Sequence, residues 1–94
     1  DSDEDRNLLV TEESAKAHLA LMQLEQLREC YRNGWVPDWT DARTSKYTIY
    51  SVDGRLEKLS VYQEHRFISF QTQDLRDKFL NNFKDLIEEA KDLI

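Results

Sequence analysis

The chain has 94 residues and a single cysteine, which suits one small domain without an internal disulfide. Hydrophobic residues make up 39% of it, enough for one core, and no stretch approaches the ~20 apolar residues of a membrane span. The net charge of −6 is concentrated at the amino end, since residues 1–13 hold six acidic residues against Arg6 alone. We expect residues 1–10 to be an acidic, disordered lead-in and residues 11–94 to be one domain.

A first amphipathic helix is predicted to begin at Thr11 or Ser14, either of which can cap it. Its apolar residues recur at three- and four-residue steps: Ala17, Ala20, Leu21, Leu24, Leu27 and Tyr31. The helix should end at Asn33-Gly34, because Gly34 can adopt the left-handed conformation that closes a helix. Cys30 is expected to be a small buried side chain near this end.

The segment NGWVPDWTD, residues 33–41, contains both tryptophans and the only proline of the chain. Pro37 forbids continuation of the helix, and Asp38 is a turn former. Trp35 and Trp39 have two possible roles. They could roof the core between the first helix and the strands, which we favour because large aromatic side chains are highly buried on average. Alternatively, the segment is a hydrophobic anchor for a partner.

Three short strands are predicted from KYTIYSV, RLEKLSVYQ and RFISF. A two-residue turn at Asp53-Gly54 would place Ile49 opposite Lys58 and mix apolar with polar residues. A three-residue loop from Val52 to Gly54 would instead place Tyr47 opposite Leu59 and keep the apolar side chains on one face. We expect the three-residue loop.

A last helix is predicted from the Thr72 cap to the end of the chain. Its apolar stripe is broad: Leu75, Phe79, Leu80, Phe83, Leu86, Ile87, Ala90, Leu93 and Ile94. The predicted fold class is therefore α+β, a two-layer arrangement of helix, three-stranded antiparallel meander and helix (α-β-β-β-α), with both helices on one sheet face.

Residues 17 to 94 carry a resemblance. The segments GWVPDW, KY and HRFISFQTQDLRDKFLNNFKDLIEEAKDLI resemble short proteins of Bacteroides-type gut bacteria and of their prophages and mobile elements. The resemblance implies a small intracellular protein, often encoded on mobile DNA. It carries over no functional residue, and it does not include the acidic lead-in.

Few residues offer catalytic or metal chemistry. His18 and His65 lie on different predicted elements without the spacing of a metal site, and each is expected to be exposed. A pair of Cys30 with either histidine would need an orienting third group that the sequence does not suggest. We expect no enzyme activity, no catalytic residue, no metal site and no cofactor. Nucleic-acid binding is also not favoured, because the basic excess in the strand region is small.

The predicted register leaves one face of the sheet without a covering layer. On that face we expect an apolar patch contributed by all three strands, consisting of Tyr50, Leu56, Tyr62, Ile68 and Phe70. Twofold pairing of two such faces would cover it. These five residues are the predicted interface.

The sequence thus favours a non-enzymatic protein-interaction module that is homo-oligomeric, encoded by a phage or mobile element, and cytoplasmic. The partner is expected to be a second copy or another protein. No membrane binding is expected, and no small-molecule substrate is identifiable. The alternative is an acidic mimic of nucleic acid that inhibits a host enzyme. The charge distribution disfavours that alternative, because the acidic excess lies in the lead-in rather than across a folded surface.

Overall fold

The computed structural model describes residues 11–94, and the predicted lead-in, residues 1–10, lies outside the described part. Helix α1 spans Glu12–Arg32, the strands are β1 Lys46–Val52, β2 Arg55–Val61 and β3 Ile68–Phe70, and helix α2 spans Gln73–Glu89. This is the predicted α+β order, with both helices against the antiparallel sheet. Within residues 11–94, no helix is long and apolar enough to cross a bilayer.

Helix α1 begins and ends as predicted. The Thr11 hydroxyl accepts a hydrogen bond from the Ser14 amide at 3.0 Å, which satisfies one of the free donors of the first turn. At the other end, Asn33 and Gly34 both have positive φ, 48° and 91°, and turn the chain out of the helix. The prediction for Cys30 is wrong: its side chain is exposed, because the neighbouring turns direct Leu27 and Tyr31 to the core.

The strand order is β2-β1-β3, so the predicted meander is wrong in one respect. β3 pairs with β1 rather than with the preceding strand β2, and Ile49 of β1 lies opposite Ile68 of β3. This pairing puts β1, which contributes the buried Ile49 to the core, in the centre of the sheet. It also forces residues 62–67, which connect β2 to β3, to cross β1.

The predicted three-residue loop is also wrong. Val52 pairs with Arg55, which leaves a two-residue turn of Asp53 and Gly54 with φ of 50° and 77°. Two positive φ values in succession are the signature of a turn whose twist matches that of a β-hairpin. The mixed pair of Ile49 and Lys58 that this register creates is tolerated, because Lys58 lies on an edge strand and its ammonium reaches the Asp77 carboxylate of α2 at 3.6 Å.

The core lies between the sheet and the two helices. It consists of Ala20, Leu24, Ile49, Ile68, Phe70, Phe79, Ile87 and Ala90, all nearly or fully buried. Aromatic rings connect α1, α2 and β3. The ring centres of Tyr31 in α1 and Phe79 in α2 are 5.2 Å apart in an edge-on arrangement, and those of Phe79 and Phe70 in β3 are 4.9 Å apart. Most residues of the two predicted apolar stripes contact this core; the exceptions are Ala17, which is outside the cluster, and Leu93, which is 39% exposed.

Helix α2 begins at the predicted cap, where the Thr72 hydroxyl accepts from the Leu75 amide at 3.2 Å. It bends at Phe83, whose φ and ψ are −126° and 26°, and it ends at Glu89 rather than at the chain terminus. A 3-10 turn, Lys91–Leu93, follows. There the Lys91 ammonium donates to the Gly54 carbonyl oxygen at 3.1 Å, which ties this end of the helical layer to the β1–β2 turn.

Candidate functional site: the open edge of the sheet

The residues of the predicted interface do not share one exposed surface. Ile68 and Phe70 are fully buried and face the helices, and Leu56 packs against the same core. Tyr50 and Tyr62 remain nearer the surface, with Tyr62 48% exposed. The prediction of a single apolar face from these five residues is wrong, because β3 pairs with β1 and the two-residue turn shifts β2 by one position.

The sheet face away from the helices is covered by the chain itself. The connection 62–67 runs back across it, with the Arg66 guanidinium 4.9 Å from the centre of the Tyr50 ring. Thr48 and Ser69, which point to this side, are fully buried. The Lys46 ammonium is also enclosed there and donates to the carbonyl oxygens of residues 41, 44 and 62. This face is therefore not a free surface over its centre.

The tryptophan corner, residues 33–41, lies beside this connection and outside the core. Trp35 and Trp39 are half-buried, and each carries a cation over its ring: Arg32 at 5.4 Å from Trp35 and Lys46 at 5.5 Å from Trp39. The His65 ring stacks on Trp39 at 4.9 Å. The two tryptophans thus pack on polar and cationic side chains. The favoured interpretation, that they cover the core between the first helix and the strands, is wrong.

Hydrogen bonds between Asp38 and Thr40 fix the local geometry of the corner. The Asp38 carboxylate accepts hydrogen bonds from the Thr40 hydroxyl at 2.6 Å and from the Thr40 amide at 3.0 Å, and these bonds lower the pKa of Asp38 below its ordinary value. Pro37 is partly buried, whereas Val36 beside it is 79% exposed. His18 and His65 are both exposed, as predicted.

The outer edge of β3 is closed by two arginines of α1. Arg28 donates to the Phe67 carbonyl oxygen at 2.8 Å, and Arg32 donates to the Ser69 carbonyl oxygen at 2.9 Å and to the Ser69 hydroxyl at 2.7 Å. Alternate strand carbonyls are about 6.8 Å apart, close to the ~6 Å rise between helix positions four residues apart. The two side chains therefore match two successive outward-facing carbonyls.

Arg32 is buried in this position, with 6% of its surface exposed. Burial is the main cause that lowers its pKa to about 10, repulsion from Arg28 adds to the effect, and attraction by Glu29 opposes it. The guanidinium is still protonated at neutral pH and keeps all its donors. It occupies acceptor groups of the edge that another strand would otherwise use, so β3 is not available for pairing.

The two-residue turn determines which residues of β2 point their backbone N–H and C=O groups toward β1 and which point them away from it. Val52 and Arg55, which close the turn, form a hydrogen-bonded pair, and hydrogen-bonded and non-bonded pairs then alternate along the ladder. The Thr48 hydroxyl donates to the Leu59 carbonyl oxygen at 2.8 Å, so that carbonyl points toward β1, as the alternation requires. The backbone groups of the intervening residues consequently point away from β1.

Those outward-pointing residues are Leu56, Lys58 and Ser60. Within residues 11–94 no backbone hydrogen bond is made to their outer side. Two large apolar side chains at this end of the molecule are also exposed, Leu59 to 38% and Tyr62 to 48%. We call this strand border the open edge.

A groove of about 550 Å³ runs between the open edge and α2. Leu56 and Leu80 contribute its apolar lining, and Lys58 and Asp77 lie among its charged residues. The hydrogen bond from Arg76 is the main cause that lowers the pKa of Asp77, and Lys58 adds to it. Asp77 is therefore ionised at neutral pH and serves as an ion-pair partner rather than as a proton donor.

The chemistry that this site offers is backbone pairing. Among residues 11–94 there is no group of three or more His, Cys, Asp and Glu side chains that could hold a metal ion. The open edge instead presents three alternating amide donors and three carbonyl acceptors beside exposed apolar side chains. Such an edge can take one more strand.

Comparison of the chain with protein-family models, with curated proteins and with solved structures finds no match.

Leu59 and Ser60 were not predicted as site residues, although Leu56 and Tyr62 belong to the predicted interface. The missing information was the strand order, because an edge strand is recognisable only when both of its neighbours are known. One local signal does indicate an edge. The predicted second strand carries Lys58 in its middle, and charged residues are typical of exposed edges.

Proposed function

We propose that this chain is a non-enzymatic protein-interaction module that binds its partner, a second copy or another protein, by strand addition at the open edge. The main support for this proposal is that the two edges of the sheet differ in hydrogen bonding. One edge is occupied by Arg28 and Arg32, whereas the seven-residue edge of β2 has free backbone groups on its outer side. Main-chain hydrogen bonds supply the affinity in this mode of binding, and neighbouring side chains supply the specificity.

The exposed side chains near the edge support the same proposal. Leu59 and Tyr62 offer apolar contacts to an added strand, and the groove lined by Leu56 and Leu80 lies alongside. We also propose a cytoplasmic location and an origin in a phage or mobile element. The exposed, unpaired thiol of Cys30 fits a reducing compartment.

The test replaces one edge donor without disturbing the monomer. Ser60→Pro removes an amide that points away from β1, so no hydrogen bond within the sheet is lost. Ser60→Ala is the matched control, and Leu59→Glu is a second variant that keeps the backbone intact. Each variant and the unmodified chain are used as bait in a native lysate, and the captured proteins are compared. Light scattering measures the mass of each purified variant, and circular dichroism verifies that it is folded.

The proposal predicts that association, with the chain itself or with a captured protein, is retained by Ser60→Ala and lost in Ser60→Pro and Leu59→Glu. Association that survives both of the latter substitutions in folded protein contradicts the proposal.

A further inference from the structure

Resting on the proposed function, the geometry points to a second copy of this chain as the strand that pairs with the open edge, in an antiparallel twofold register centred on Leu59. The two sheets would then form one continuous sheet of six strands, with each β3 edge closed by its own arginines. Three observations select this arrangement: the direction of the backbone groups, the charges along β2 and the position of the exposed apolar residues.

The backbone restricts the possible registers. Outward-pointing groups of one strand have to meet outward-pointing groups of the other, and in β2 these belong to alternate residues. In a twofold pair, one residue must therefore lie opposite its own copy. Since β2 spans Arg55–Val61, only centres at Glu57, Lys58 or Leu59 pair at least five strand residues of each copy.

The charges exclude two of these three centres. A register centred on Glu57 places two carboxylates directly opposite each other, and one centred on Lys58 does the same with two ammonium groups. Like charges directly opposite are destabilising in a sheet. In the register centred on Leu59, Lys58 lies opposite Ser60 and Glu57 lies opposite Val61, so no like charges meet.

The exposed apolar side chains favour the same centre. Leu59 is opposite Leu59 of the second copy in a non-hydrogen-bonded pair, where the two side chains are closest. Tyr62 of each copy comes opposite Leu56 of the other, at the groove beside α2. Both apolar residues that the monomer exposes at this edge are thereby covered.

Cysteine scanning tests the register. Cys30 is first replaced in Cys30→Ser, because its exposed thiol would react, and Leu59→Cys and the matched control Glu57→Cys are then made separately in that background. Copies of residue 59 lie within the Cα separation of a disulfide, since non-bonded pairs are ~4.5 Å apart. Copies of residue 57 are displaced by four strand residues, roughly 13 Å. Lys58→Cys, made in the same background, tests the register centred on Lys58, in which the two copies of residue 58 would lie opposite each other.

The inference predicts a dimeric mass by light scattering for the unmodified chain at tens of micromolar, and a disulfide that forms at position 59 roughly tenfold faster than at position 57 or 58, where the Cα separation exceeds the disulfide limit. Faster cross-linking at 57 or 58 overturns the register. A monomeric mass together with equally slow cross-linking at all three positions overturns the dimer. The proposed function survives that last result only if Ser60→Pro abolishes capture of another protein.

Discussion

Trp35 lies against the guanidinium of Arg32 and is half-buried, and it does not belong to the core. Its replacement removes a partly desolvated cation–π contact and some packing, but leaves no closed cavity. We therefore expect Trp35→Ala to lower the free energy of unfolding by about 1–2 kcal/mol.

Chemical denaturation measures this change, with Val36→Ala as the control. Because Val36 is 79% exposed, its replacement should change stability by less than ~0.5 kcal/mol. A loss for Trp35→Ala as large as the ~3–5 kcal/mol of a buried aromatic would place Trp35 in the core and contradict the structure of the corner.

Asp38 gives the corner a pH dependence. Its pKa is lowered in the folded state by the hydrogen bonds from Thr40, so its stabilising effect is present above the unfolded value of ~3.9 and is lost as the pH falls through the folded value. We expect Asp38→Asn to be less stable than the unmodified chain at neutral pH and this difference to shrink at about pH 3. Denaturation curves at both pH values test it, and a difference that grows at acid pH would contradict the assignment.

At the scale of single elements, the β1–β2 turn determines the register of the edge strand. Asp53 has φ of 50°, which only a two-residue turn of this kind requires at that position. Aspartate tolerates the left-handed region because its short polar side chain can hydrogen-bond locally, and alanine has the same Cβ strain without that compensation. We therefore expect Asp53→Ala to destabilise the protein by about 1 kcal/mol and Asp53→Gly, which has no Cβ, to be neutral or stabilising. If thermal or chemical unfolding instead shows Asp53→Gly to be the less stable of the two, the turn has a different geometry.

The closure of the β3 edge gives another prediction for one element. Arg32→Ala leaves the buried hydroxyl and the carbonyl of Ser69 without a partner, each at a cost of ~1–3 kcal/mol. Arg28→Ala frees only the part-buried Phe67 carbonyl oxygen, which water can reach more easily. Unfolding by urea should therefore show a clearly larger loss for Arg32→Ala than for Arg28→Ala, and equal losses would argue against Arg32 as the main closure of the edge.

The helices were predictable from the sequence, and the sheet only in part. Thr11, Thr72 and Asn33 act through neighbours three or four residues away, so their capping roles are visible in the local sequence. The partner of β3 is set by contacts between residues far apart in the chain, such as Ile49 with Ile68, and alternation alone does not decide it. The predicted register of β1 and β2 is wrong because Lys58 faces the helices and forms an ion pair with Asp77, and these two residues are close only in the folded chain.

The candidate site was predictable to a smaller extent. Tyr62 and Leu56 were recognised as interface residues, but as part of a sheet face instead of a strand edge. Ile68 and Phe70 were misplaced because both parities of RFISF are apolar, and burial of one parity against helices cannot be read from composition. Arg28 and Arg32 gave no signal, since a helical arginine is usually exposed and its contact with β3 depends on the tertiary arrangement.

In the whole molecule, the two sheet edges differ in whether their outward backbone groups have hydrogen-bond partners. The β3 edge is closed by α1, and the face away from the helices is covered by the connection 62–67 and the tryptophan corner. Among residues 11–94, the outward backbone groups of the open edge of β2 make no backbone hydrogen bond, and this is where we propose that the partner binds. A twofold pair uses both open edges, so association stops at the dimer instead of continuing into a chain of sheets.

Residue-resolved amide hydrogen exchange at tens of micromolar is the most direct test of the proposed strand pairing between two copies. In the register centred on Leu59, the amides of Lys58 and Ser60 donate to the second copy, and both should exchange as slowly as the Leu59 amide, which bonds within the sheet. Their protection should disappear on dilution and in Leu59→Glu. If the Lys58 and Ser60 amides exchange as freely as solvent-exposed amides at every concentration, no strand is added to β2 by a second copy.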